Sequence, residues 1–160
     1  MINRSLGLFE EGNTSEALIW LFLKLGQAYT QIKAWDDAIA SLEKGLSIAE
    51  SIEDERIGNE LKAIAKQAMG KVYLEKYESL PERNDELVRK ALFCTDAAFH
   101  LQKSKGVTLA LFLDLAQEYY LLGDSEKAHA LLKRYLDESV RLGASYCLRE
   151  GCNHGEISCL

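Results

Sequence analysis

Phe22-Leu23-Lys24-Leu25-Gly26-Gln27-Ala28-Tyr29 is the stretch that decides the fold. A bulky aromatic is followed by Leu-Gly and, one turn later, by Tyr; Ala38-x-x-x-Leu42 comes next. The arrangement recurs as Lys66-x-x-Met69-Gly70-x-x-Tyr73 with Ala91-x-x-x-Thr95, and as Phe112-x-x-Leu115-Ala116-x-x-Tyr119 with Ala128-x-x-x-Leu132. The small residue therefore returns at 26, 70 and 116, at intervals of 44 and 46. A glycine inside a helix costs about 1 kcal/mol relative to alanine. Gly26 and Gly70 thus need a reason, and close approach of a second helix supplies one, with Ala38, Ala91 or Ala128 facing the small residue and the tyrosine covering the contact. Each two-helix unit keeps an apolar side, which the next unit buries, so the chain reads as a stack.

Working outward, apolar residues recur at helical spacing and almost nothing alternates with period two. Trp35, Ala38, Ile39, Leu42, Leu46 and Ala49 make one stripe; Leu87, Ala91, Leu92, Ala98 and Phe99 make another. The pattern predicts helices over 15–32, 35–52, 56–79, 84–104, 107–122 and 125–142. Asn13 with Glu16 three residues on, and Asp124, suit helix starts. Gly106 and Gly143 suit helix ends. The links are a few residues long, so successive helices are expected to pack antiparallel.

These residues resemble the tetratricopeptide repeat (TPR) family, whose pattern is an aromatic, Leu-Gly, Tyr, then Ala and a large apolar residue. The resemblance spans about residues 19–142 and implies an all-α fold: a right-handed α-α superhelix, or solenoid, of about three antiparallel helix pairs. The repeats fall at 15–54, 55–105 and 106–142. Residues 1–14 form a leading segment, a candidate stub of an earlier repeat helix, and 143–160 an irregular Cys-rich tail. The second unit departs most, with Lys66 at the aromatic position, Thr95 at an apolar one and nine extra residues around 77–85 that turn at Pro81, the one proline. The intervals exceed the simple 34-residue unit and are similar to the longer-helix class found in kinesin light chains, rapsyn and G-protein signalling modulators.

Such a stack lines a concave surface with its first helices, and the family resemblance implies a non-enzymatic scaffold that takes a peptide or helix of a partner protein there. Helical spacing turns Trp20, Leu23, Gln27 and Gln31 of the first unit away from the Phe22/Leu25/Tyr29 stripe. Ile64, Gln67, Lys71 and Glu75 correspond in the second, and Ala110, Leu113, Gln117 and Tyr120 in the third. The expected groove centres on Trp20, Gln27, Gln31, Gln67, Lys71, Gln117 and Tyr120. It is amide-rich and nearly neutral. Glutamine amides both donate to and accept from a peptide backbone, and exposed aromatics anchor apolar side chains. With Lys71 as the sole base, the carboxylate clamp of some TPR domains is not carried over.

The 160 residues are 48% hydrophobic and 28% charged, with a net charge of −6. Residues 36–60 hold eight acids and two bases, so the excess is local. No basic stripe is present to displace nucleic-acid counterions. No run suits a membrane span, and the start has no apolar signal region. Four cysteines without a leader point to a reducing, cytoplasmic setting, with Cys94 a small buried hydrophobe.

Cys147, Cys152, His154 and Cys159 lie within 13 residues, but the Cys-x4-Cys-x-His-x4-Cys spacing departs from zinc pairs, so no resident cofactor is expected from this segment alone. It reads as a reduced tail, or as the opening of a zinc module in a larger protein for which this chain recruits or regulates. No phosphate loop, nucleophile elbow or metalloprotease motif occurs. His100 and His129 stand on separate second helices. Weak self-association through the ends of the stack is the remaining partner expectation.

Overall fold

The computed structural model describes residues 11–102 and 109–149, with side chains for 15–102 and 109–143. Six helices follow one another: α1 (Glu11–Gln31), α2 (Trp35–Glu50), α3 (Glu55–Ser79), α4 (Asp85–Gln102), α5 (Leu109–Leu121) and α6 (Ser125–Arg149). The described residues contain no strand. The helices pack as α1 on α2, α3 on α4 and α5 on α6, while α2 meets α3 and α4 meets α5. α1 also touches α3. The molecule is thus an all-α solenoid of helix pairs in series.

The helices lie close to where the apolar period placed them, with differences at the ends. α1 begins at Glu11, so Asn13 sits inside the helix and not at its cap. α6 runs through Gly143 to Arg149. Gly143 is therefore a helical residue, and the beginning of the tail expected to be irregular is helix. Nothing lies within 4 Å of where a Gly143 side chain would start, so no contact forces a stop there. Gly106 lies outside the described residues. α3 is capped by Asp54, whose Oδ1 accepts from the backbone N–H groups of Arg56 and Ile57 at 2.9 and 3.1 Å. Asp124 caps α6 as expected, accepting from Lys127 N at 3.1 Å.

The turns of the first and third units are built alike. Lys33 N donates to Thr30 O (2.9 Å) and Ala34 N to Tyr29 O (2.9 Å). Gly123 N donates to Tyr120 O (3.0 Å) and Asp124 N to Tyr119 O (2.9 Å). This is the Schellman closure, which needs a left-handed residue after the helix; Lys33 has φ 60° and Gly123 φ 86°. The second unit ends differently. Its extra residues lengthen α3 and leave Leu80–Asn84 as a link, from which Arg83 reaches back. Its Nη2 donates to Leu121 O at 2.7 Å and its Nε to Asp85 Oδ1 at 2.6 Å. The insertion thus holds the C-terminal carbonyl of α5, where a cation is favoured by the helix dipole.

The main core joins α1 to α4 around Ile19, Leu23, Leu42, Leu61, Met69 and Val72, with Tyr29 and Tyr73 packed against it. Each fully buried leucine contributes about 1.5–3 kcal/mol. A second cluster of Ala63, Ala98 and Leu111 links α3, α4 and α5. Cys94 is buried, and burial pushes its thiol pKa up. The small residues mark close helix approach: Gly70 meets the expected Ala91 through its carbonyl oxygen, 3.4 Å from where a Cβ would start, while Gly26 meets Leu42, one turn beyond Ala38. A Cβ on Gly26 would fall 2.7 Å from Leu42 Cγ, and one on Gly70 2.6 Å from Thr95 Oγ1. Ala38, Ala91 and Ala128 are all buried.

Candidate functional site

α1 and α3 together wall a cleft of about 400 Å³. Gln27, Thr30 and Gln31 come from α1, and Lys71 and Glu75 from α3. Ala68 and Val72 of α3 also line it, with Leu42 of α2 beneath. Leu42 reaches this surface because residue 26, also at the cleft, has no side chain to cover it. The cleft therefore has an apolar floor and a polar rim. Three of the seven expected groove residues, Gln27, Gln31 and Lys71, are brought together here.

The others are placed less simply. Trp20 is on α1, seven residues before Gln27, and is 47% exposed. Tyr120 is 69% exposed on α5, three residues beyond Gln117. Gln67 donates through Nε2 to Asp114 Oδ2 at 3.0 Å, and Gln117 Nε2 to Glu78 Oε1 at 3.4 Å. These two amides tie α3 to α5 and are already engaged. Leu23, which helical spacing put on the groove side, is buried in the core instead.

Lys24, absent from the expected set, donates to Gln27 Oε1 at 3.3 Å. Lys71 and Glu75 of α3 thus stand together in the α1–α3 cleft, while Asp114 and Glu78 engage the amides that link α3 to α5. Asp114 was not evident from spacing because its partner is 47 residues away in sequence.

Glu118 of α5 was likewise not foreseen. It is completely buried, and its Oε1 lies 2.6 Å from the Thr95 hydroxyl of α4. Burial pushes its pKa up to about 8, the Thr95 hydrogen bond opposes this, and the nearby charges of Asp114 and Asp96 add to the rise. Thr95 Oγ1 also lies 3.1 Å from Ala91 O and has one proton to give. The Thr95 hydroxyl donates to Glu118 Oε1, with Ala91 O as a second, longer acceptor for the same proton. Among the described residues, Glu118 Oε2 has no hydrogen-bond partner. The pair occupies two packing positions where the first unit has Ala28 and Leu42. That double departure from the repeat was the available signal.

Among the described residues, no three His, Cys, Asp or Glu side chains gather to hold a metal ion. Cys147 stands near the end of α6 without a described side chain, and Cys152, His154 and Cys159 lie outside the described residues. Among those residues, no helix is long and apolar enough to cross a membrane.

No protein-family model matches the sequence, and no curated protein matches it. Among solved structures, the chain is similar to the TPR domain of Arabidopsis FLU, with a TM-score of 0.62 at 18% identity. The likeness covers 79% of this chain and 98% of that one. The fold is TPR-like. In TPR terms α1, α3 and α5 are the first helices, and α2, α4 and α6 the second. The cleft between α1 and α3 is then a gap between first helices of successive units.

Proposed function

We propose that this protein is a non-enzymatic interaction scaffold that binds an extended peptide segment of a partner protein along the α1–α3 cleft. The observation that carries the reading is the composition of that cleft: Gln27 and Gln31 face Lys71 and Glu75 over a floor of Leu42, Ala68 and Val72. Amides on the rim can match the alternating donors and acceptors of a peptide backbone. The floor accepts a small or branched apolar side chain, whose burial contributes about 1.5–3 kcal/mol. Trp20 extends the same side of α1 as an aromatic anchor. On this reading the units belong to the longer-helix class of TPR arrays, and the scaffold works in the cytoplasm.

The test is selection of a displayed random-peptide pool on the full chain, followed by binding to a Gln27→Ala plus Lys71→Glu variant. Selected peptides are expected to lose affinity at least about tenfold, or ~1.4 kcal/mol, with the melting temperature unchanged. Peptides that ignore this variant but are lost on Asp54→Lys would move the site to the acidic turn before α3.

A further inference from the structure

We propose that the groove between α2 and α4 is a second docking surface, which takes a short acidic segment of a partner protein with an apolar side chain among its carboxylates. The inference begins with an exchange in the repeat. The position held by Phe22 and Phe112 in the first helices of units one and three is Lys66 in the second. The position held by Ala40 and Ala130 in the second helices is Phe93. Phe112 is buried and Phe22 half-buried, whereas Ala40, Phe93 and Ala130 all face solvent, Phe93 by 70%. The second unit thus carries its ring on the surface instead of in the packing layer.

Internal packing does not account for this exchange. Lys66 Nζ lies 5.9 Å from the Phe93 ring centroid. At an exposed site such a cation–π contact returns less than burial of a phenylalanine provides. An exposed ring beside cations is rewarded at an interface, where aromatic and Arg side chains carry much of the binding energy.

The surroundings of Phe93 define the guest. The groove encloses about 420 Å³ between α2, α3 and α4, and it lies in the middle of the stack. Arg89 and Lys90 precede Phe93 by four and three residues, so they share its face of α4. Lys66 approaches from α3. Among the described residues, none of these three cations has a carboxylate within ion-pair distance. Glu43 and Glu86 line the same groove and pair with none of them. Three cations against two acids make the groove locally positive on a chain of net charge −6. Carboxylates set close to a guest's apolar residue meet the cations around Phe93. A long polyanion or an anionic bilayer would also press its charge on Glu43 and Glu86, so the pattern favours a peptide.

This groove is separate from the α1–α3 cleft. Lys66, Met69 and Tyr73 line it, whereas Ala68, Lys71 and Glu75 line the cleft. At 3.6 residues per turn the two sets lie on opposite sides of α3. The proposal therefore does not depend on the function proposed above.

The experiment selects a displayed random-peptide pool on the full chain carrying Gln27→Ala plus Lys71→Glu, which disables the cleft. Selected peptides are expected to combine several carboxylates with an aliphatic or aromatic residue. Fluorescence anisotropy on the wild type then measures their affinity, which is expected to weaken with salt. Phe93→Ala, and separately Arg89→Gln plus Lys90→Gln, are each expected to lower it at least about tenfold. All three side chains are exposed, so the melting temperature should hold; Phe93→Gln repeats the test should Phe93→Ala fail to fold. An empty pool, a pool without acidic residues, or peptides indifferent to these variants overturns the proposal. Phosphatidylserine vesicles that bind the wild type and lose the same variants, with no peptide selected, would overturn it in favour of a lipid surface.

Discussion

The Thr95 hydroxyl lies 2.6 Å from Glu118 Oε1, inside the packing of α4 against α5. Gly70 of α3 makes room for that hydroxyl, because a Cβ there would sit 2.6 Å away. One polar contact therefore joins first helix, second helix and the next first helix. It is held in a site where ionisation of the carboxyl is opposed by burial and by Asp114 and Asp96.

Stability should fall as pH rises from the ordinary carboxylate range toward about 8. In that window the unfolded chain has released the Glu118 proton and the folded chain retains it, so the folded state binds the extra proton. The slope from this group is about −1.4 kcal/mol per pH unit at its steepest. Above the folded pKa both states are ionised and the slope from this group vanishes. Glu118→Gln, which keeps the shape and, in its amide oxygen, an acceptor for Thr95, should flatten the profile. Denaturant melts across this pH range, comparing the two proteins, check it.

Gly26→Ala and Gly143→Ala should move stability in opposite directions. At residue 26 the new methyl falls 2.7 Å from Leu42 Cγ, and overpacking of this kind costs about 1–3 kcal/mol. At residue 143 nothing lies within 4 Å. There the helix propensity of alanine should add about 1 kcal/mol. Thermal melting of the two variants beside wild type gives the signs directly.

The first turn can be improved by copying the third. Lys33 holds φ 60°, which glycine adopts without a Cβ penalty, so Lys33→Gly should stabilise by up to about 1 kcal/mol. Ala34 caps α2 with no side-chain hydrogen bond, whereas Asp124 supplies one at the equivalent place. Ala34→Ser should add about 1 kcal/mol. Chemical denaturation of the single and double variants measures both increments.

Arg83→Ala should loosen the end of α5 without unfolding the array. Its guanidinium is the side chain that meets Leu121 O. Amide exchange at Leu122, Gly123 and Asp124 is expected to quicken several-fold, while α1 and α2 keep their protection. Uniform loss of protection across all helices would assign Arg83 a global role instead.

The stack was legible because its signal is periodic. Tyr29, Tyr73 and Tyr119 with the small residues before them place the first helices directly. The ends were harder, since Asn13 and Gly143 carry residue types that also occur inside helices, and local chemistry does not decide between the two. Gln27, Gln31 and Lys71 meet because residues on adjacent first helices follow from the repeat alone. The engagement of Gln67 and Gln117 was not legible, because Asp114 and Glu78 belong to other helices and their height depends on axial offset. Thr95 and Glu118 each look like a flaw in isolation; side by side, each supplies the partner the other needs.

Leu42 meets the α1–α3 cleft through the gap that Gly26 leaves. The depth of this concavity is therefore governed from behind, by a side chain whose backbone belongs to the rear layer. Trimming residue 42 would admit a bulkier guest, and a methyl at 26 would shut the opening, with every solvent-facing amide left untouched. On the proposed peptide-binding reading, guest size is set by residues 26 and 42 and grip on the guest's main chain by Gln27 and Gln31, so either can be altered without the other.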